Sequence, residues 1–415
     1  IFFNSTGMKD GTMAEQIANF TEEIGDTFLY KGARLEVGKN WRETFRILTD
    51  TIRAIPKSKK IILFFDEFPW MATKNSRLLQ NLDYFWNQHW SKDKRIKLII
   101  CGSSASWIID KIVHNKGGLH NRLTREIFLE PFNLVNTKTF LKHMGFRLSN
   151  KQIVNIYLIT GGVPYYLSKL EKKLSVIQNI EQLAFRKKGL LIEEFDKLYS
   201  SLFDDHEVYL DIIRAIAKHK YGIGQSDLFR EVNSSLKGKA GLSKLDALIK
   251  SSFITNFKPM GHSRRGVYYK IIDEYTLFYL AWIEPLKETL ISRSLRRGYW
   301  ERQQNTAQWY TWSGYAFEAI CYKHINQISD KLQLSPTAIP YTWRYVPRKE
   351  SDIQGAQIDL LFNRDDDAIT ICEIKHTEKP FLIDKQYAEK LLLKVDVFRK
   401  VTGTTKQLFL AMISA

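Results

Sequence analysis

Hydrophobic positions along the chain follow two rhythms. Some apolar runs are short and stop abruptly at polar residues. Other stretches repeat their apolar residues every three or four positions. Ile1 to Asn4, Ile61-Ile62-Leu63-Phe64-Phe65 and Ile96-Lys97-Leu98-Ile99-Ile100 are of the first kind. Runs this short read as strands buried on both faces, as in a parallel sheet covered by helices. Between them, residues 10 to 26 place Ile17, Phe20 and Ile24 on one helical face, residues 40 to 54 form a second helix ending before Pro56, and residues 77 to 90 form a third. Strands alternating with helices predict an α/β fold with a parallel sheet. The apolar run Ile127-Phe128-Leu129 predicts a further strand, and Gly161-Gly162 ahead of Pro164 predicts a turn into a helix.

The rhythm changes after residue 170. Residues 171 to 203 read as charged helices, a linker bundle. Residues 206 to 218 form an amphipathic helix with Val208, Ile212, Ile213 and Ile216 inward, followed by short helices from Gly224 and over Leu242 to Leu248. A hairpin, Phe253 to Phe257 and Gly266 to Ile272, carries Arg264 and Arg265 near its tip. Three helices and a basic-tipped hairpin resemble a winged helix, and both arginines are candidates for phosphate contact. The last stretch reads helix 311–328, strand 341–346, a hairpin of 356–362 and 368–375, helix 384–401 and strand 407–413. The expected division is therefore an α/β core over 1–170, a helical linker over 171–204, a winged-helix module with its connector over 205–300, and an αβββαβ module over 301–415.

Composition narrows the function. Lys and Arg exceed Asp and Glu by 17, with a pI near 9.5. A surplus this large favours polyanionic partners, nucleic acid first, the plain alternative being a coat of solvated lysines. Cys101, Cys321 and Cys372 are scattered in apolar stretches with no C-x-x-C pair, which argues for reduced buried thiols in a cytoplasmic protein and against a zinc site. No stretch approaches the ~20 apolar residues of a membrane span, and no signal peptide is visible. The chain begins at Ile1, without Met and already inside a strand, so the natural start is expected to lie upstream.

Two sets of residues carry candidate chemistry. Asp66 and Glu67 sit at the carboxyl end of a predicted strand, where open α/β sheets bind ligands. In a Walker B strand the first acid holds Mg²⁺ through water and the second polarises the water that attacks the γ-phosphate. Ser103 and Ser104 end the next strand, as hydroxyls placed to sense that phosphate or as a helix N-cap. Arg122 and Arg125 are candidate finger residues. The ordered set Leu63-Phe64-Phe65-Asp66-Glu67-Phe68-Pro69-Trp70, Cys101-Gly102-Ser103-Ser104, Arg122 to Phe132 and Thr160-Gly161-Gly162-Val163-Pro164 resembles the archaeal-type ATPases of the AAA+/STAND group. The resemblance implies ATP and Mg²⁺ as cofactors. One departure is large: the phosphate-cradling G-x-x-x-x-G-K-[ST] loop occurs nowhere in these 415 residues, so ATP is expected to bind poorly to the chain as it stands.

The second set lies in the αβββαβ module, which resembles the PD-(D/E)XK nucleases and the nuclease-related domain found at the C-terminus of this ATPase family. Glu373 and Lys375 share one face of a strand, with Ile374 on the other. Asp359 on the preceding strand would lie beside them, and Glu318 on the first helix is an additional acid. Asp359, Glu373 and Glu318 are candidate Mg²⁺ ligands, with Lys375 stabilising charge in phosphodiester cleavage. Three readings stay open: an ATP-dependent DNA-processing enzyme, a nucleotide-switched binding or regulatory protein whose nuclease-like module only holds DNA or a partner, or an ATPase with no nucleic-acid role. A homo-oligomer is compatible with any of them.

Overall fold

A computed structural model of the chain describes residues 1–29, 34–103, 105–108, 111–112, 122–203, 205–232, 238–261, 266–304, 306–347, 352–377 and 379–415. The chain forms two units, Ile1–Phe128 and Leu129–Ala415.

The first unit is mixed α/β around a parallel three-stranded sheet. Its strands are β1 (Phe2–Thr6), β2 (Ile61–Asp66) and β3 (Ile96–Ile100), in the order β1-β2-β3. Phe3 pairs with Leu63, and Phe65 with Ile100. The helix Met13–Phe28 starts at a capping box in which Thr12 and Glu15 bond each other's backbone, and Trp41–Ala54 starts at Asn40, whose side chain accepts from the Glu43 N–H. Phe3, Phe20, Trp41, Phe45, Phe65 and Trp90 fill the core between these helices and the sheet. Trp90 keeps its indole N–H satisfied by donating 2.9 Å to Thr49 Oγ1.

The sheet corrects one expectation. β2 alternates: Ile61, Leu63 and Phe65 are buried, while Ile62 and Phe64 are half-buried, and Ile99 of β3 is exposed. The continuous apolar run is thus packed on one face, and the other face carries only a partial cover that includes the Phe2–Phe64 ring stack at 6.0 Å. Ile127-Phe128-Leu129 joins no ladder and is exposed, so it is not the strand its composition suggests.

The second unit holds two sheets. Strands β4 (Ile223–Gly224), β5 (Ile254–Phe257) and β6 (Tyr268–Ile271) make an antiparallel sheet in the order β4-β6-β5, beside helices His206–Ala217, Gln225–Glu231 and Gly238–Lys250. Strands β7 (Ile339–Tyr345), β8 (Ala356–Asn363), β9 (Ala368–Lys375) and β10 (Gln407–Ser414) form a sheet ordered β10-β9-β8-β7. β7, β8 and β9 run antiparallel, and β10 returns parallel to β9 after the helix Lys385–Thr402. The Met260 N–H donates 2.9 Å to the Thr342 carbonyl, stitching the segment after β5 to β7.

Residues 171–203, expected as a helical linker bundle, are helical and pack into the core of the second unit. Helices Val176–Ala184 and Leu190–Leu202 bury Leu191, Phe195 and Tyr199 completely, and the Phe195 ring stacks 4.0 Å from Tyr279. Residues 129–170 also pack within this unit: the Leu134 N–H donates 3.0 Å to His324 Nε2, and Tyr157 lies in the same core as Tyr275 and Phe278. The structural boundary therefore falls at residue 128, where the sequence alone suggests 170.

Candidate functional site

In the first unit, β2 delivers Asp66 and Glu67 together. The Gly7 N–H donates 2.9 Å to the Asp66 carbonyl, so β1 and β2 end side by side. A Cβ at Gly7 would lie 2.3 Å from the Glu67 carbonyl oxygen, so only glycine fits there. Glu67 itself adopts the left-handed conformation, φ 44° and ψ 44°. For a non-glycine residue that costs roughly 1–2 kcal/mol and turns the side chain out of the line of the strand. The turned carboxylate reaches the end of β3: Ser103 donates to Glu67 Oε2 from its hydroxyl at 2.9 Å and from its backbone N–H at 3.2 Å. Asp66 Oδ1 accepts from the Glu67 N–H at 3.1 Å. Burial pushes the neighbouring Cys101 thiol up, and the negative charge of Asp66 and Glu67 adds to the shift.

Two adjacent carboxylates suit Mg²⁺, which takes hard oxygen donors, and Ser103 fixes the direction of one of them. The phosphate cradle is the part these residues do not supply. Arg122 and Arg125 are exposed and form no ion pair among the described residues. Ser104, Arg264 and Arg265 lie outside the described residues.

Residues 9–170 match a family described as an ATPase domain predominantly from Archaea. The chain carries an archaeal-type ATPase domain. It is also 25% identical over 340 residues to an uncharacterised protein of Methanocaldococcus jannaschii, a match covering 79% of this chain and 68% of that protein. A solved Walker-type ATPase of Pyrococcus abyssi aligns with 66% of this chain and 82% of its own, at 18% identity and a TM-score of 0.45. Asp66, Glu67 and Ser103, clustered at the carboxyl end of the parallel sheet, fall within the matched residues. Among the described residues no helix is long and apolar enough to cross a membrane.

The second candidate site lies outside the ATPase match, around β8 and β9. The β8–β9 register pairs Leu360 with Cys372, so Asp359 and Glu373 are the next residues along the two strands. A register shift between Tyr341 and Trp343 of β7, opposite Leu361 and Ile358, marks a bulge around Asp359 and Leu360. Bulges re-aim side chains, and this one directs the Asp359 carboxylate toward Gln357 Nε2, 2.7 Å from Oδ1. The Tyr322 hydroxyl donates to the Asp359 carbonyl.

Glu373 is 4% exposed and fully engaged. Its Oε1 accepts from the Tyr387 hydroxyl at 2.6 Å and lies 3.2 Å from Lys375 Nζ, while Lys394 Nζ donates to Oε2 at 2.7 Å. Burial alone would raise this carboxyl, but the bonds from Lys394 and Tyr387 and the two ammonium charges bring it below the usual range. Glu318 is half-buried against Lys270, 2.9 Å from Oε2, and the ammonium lies 5.2 Å and 4.8 Å from the ring centres of Tyr315 and Tyr322. Burial pushes the Glu318 carboxyl up, with Lys270 opposing the shift.

The geometry brings Glu373 and Lys375 together, and Asp359 and Glu318 onto the wall of one cavity that neither Glu373 nor Lys375 lines. Among the described residues no three His, Cys, Asp or Glu side chains form a group able to hold a metal. Two ammonium groups and a phenol already occupy the one Glu373 carboxylate in this arrangement. The residues as arranged do not fit Mg²⁺. Lys394, Tyr387 and Lys270 are the neighbours of the candidate residues that sequence reading misses. Tyr387 and Lys394 are seven residues apart, two turns of one helix face, and that spacing is the signal that could have found them.

Proposed function

We propose that the chain is a nucleotide-switched nucleic-acid-binding protein, with an archaeal-type ATPase domain joined to a winged-helix-like and nuclease-like second unit that grips nucleic acid without cutting it. The observation that carries this reading is the Glu373 carboxylate saturated by Lys394, Lys375 and Tyr387. A PD-(D/E)XK centre needs that acid free for metal. The surplus of 17 positive charges supports binding to a polyanion. The sheet order β10-β9-β8-β7 with its flanking helices supports the nuclease-like fold, and the three helices beside β4-β6-β5 support the winged-helix-like one.

In the ATPase domain, the acids at the end of β2 would serve a magnesium-bound nucleotide, whose phosphates would need a cradle that these residues do not supply. Asp66 would hold the metal's water shell. Glu67, held by Ser103, would orient the attacking water. Arg122 and Arg125 remain candidates for contact with phosphate.

The test is cleavage of plasmid and branched DNA with Mg²⁺ or Mn²⁺, run beside a salt titration of binding. We expect no cleavage and an affinity that falls steeply with salt. Cleavage abolished by both Glu373→Ala and Lys375→Ala would overturn the non-cutting assignment and restore the nuclease.

A further inference from the structure

A cavity of about 400 Å³ opens in the second unit between the β4-β6-β5 sheet and strands β7 and β8. Its volume lies within the ~300–1,000 Å³ of sites that take one small molecule, and is far too small for a duplex. Its chemistry is layered. At its edge stands Tyr221, half exposed, with the Arg344 guanidinium 4.6 Å from the ring centre. The walls include Phe257 and Tyr268, whose rings lie 5.9 Å apart. Glu318 and Asp359 supply the carboxylates, with Lys270 beside them.

The carboxylates are only half used. Lys270 binds Glu318 Oε2, and Gln357 binds Asp359 Oδ1. Among the described residues no protein donor reaches Glu318 Oε1 or Asp359 Oδ2. One lysine against two acids leaves this part of the lining net negative and rich in acceptors. A ligand that matches all three layers has a flat ring to lie on the aromatic groups, N–H donors on one edge, and an anion for Arg344. A base with its phosphate has all three.

We propose that this cavity holds one unpaired nucleobase, its amino edge toward Asp359 and Glu318 and its phosphate at Arg344. Aromatic stacking contributes about 1–3 kcal/mol per base. Carboxylates accept from exocyclic amino groups, as with cytosine N4, so amino-bearing bases bind better than thymine or uracil. A base in a strand and the base of a free nucleotide present the same chemistry. The assignment rests on the nucleic-acid reading of this unit and requires neither cleavage nor ATP.

The experiment is a titration of the full chain, in chelator and without metal, against three ligands. These are a single strand carrying a fluorescent adenine analogue, the duplex of the same sequence, and a thymine-only strand. The parent should bind the labelled strand more tightly than the thymine-only strand. Tyr221→Ala should weaken the labelled strand by about tenfold, the equivalent of ~1.4 kcal/mol, and leave the duplex unchanged, which also reports that the variant is folded. Arg344→Ala should weaken the labelled strand too. Equal affinity of the parent and Tyr221→Ala for the labelled strand, or equal binding of the thymine-only strand, overturns the proposal. If no ligand binds even at low salt, the nucleic-acid reading itself fails. AMP and CMP then decide: binding lost in Tyr221→Ala keeps the cavity assignment with a free nucleotide as the source, and no binding ends it.

Discussion

An acid pair at the end of β2 and a single acid on β9 are treated differently in this molecule. Asp66 and Glu67 in the ATPase domain are partly exposed, and among the described residues their bonds come from neutral groups: the Glu67 N–H, Ser103 and the Cys101 thiol. Glu373 on β9 is buried and held by two ammonium groups and a phenol. The residue type is the same in both places. The partners decide: neutral donors orient an acid and leave its charge available, whereas cations consume it.

The contrast is sharpened first by breaking the buried pairing. Glu373→Ala leaves Lys394 and Tyr387 without their acceptor and should lower stability by about 2–4 kcal/mol, read from urea unfolding. A loss below ~1 kcal/mol would mean that solvent screens the cluster and that Glu373 is freer than its bonds suggest.

A buried acid elsewhere in the second unit gives the next effect. Glu274 is fully buried against Lys323; burial pushes its carboxyl up to about 7, with Lys323 opposing the shift. The folded chain therefore keeps this proton up to about pH 7, while the unfolded chain releases it near 4.5. Stability should fall as pH rises between those values, by at most roughly 3 kcal/mol, and stay level above them. Comparing melting temperatures of the parent and Glu274→Gln across that window checks it: the variant should lose the slope. A slope that persists assigns it to another group.

The smallest effect belongs to the open pair. Glu67→Gly removes two bonds from Ser103 but relieves a left-handed backbone. The change in stability should stay within about 1 kcal/mol of zero. A loss above ~2 kcal/mol would show that Glu67 holds the ends of β2 and β3 together, and the comparison would collapse.

Much of the architecture is legible in the residues. The αβββαβ order, the β8 and β9 spans and the placement of Glu373 beside Lys375 follow from period-two and period-3.6 patterns that act over a few residues. Burial of β2 does not, because a run of Ile, Leu and Phe is the same whether helices cover one face or two. The charged helices over 171–203 mislead for a similar reason: Glu193 and Lys197 are exposed while Phe195 and Tyr199 face inward, and even Glu181 is buried. The Lys394 and Lys270 pairings were hidden more deeply. Lys394 lies on a helix after the strand it serves, and Lys270 comes from another sheet. Only folding brings such groups together, and composition counts them as two of many surface lysines.

Lys270 has a mechanical consequence. It leaves β6, passes between the rings of Tyr315 and Tyr322, and ends on Glu318 of the helix Ala307–Lys323, while Met260 is bonded to β7 nearby. Sliding one sheet past the other by a few ångströms would strand a buried ammonium and a half-buried carboxylate at once, at a cost of several kcal/mol. The pairing therefore resists relative movement of the two sheets at this joint. The same helix reaches the bulge at Asp359 through the Tyr322 hydroxyl, so one helix ties the small sheet to the four-stranded one.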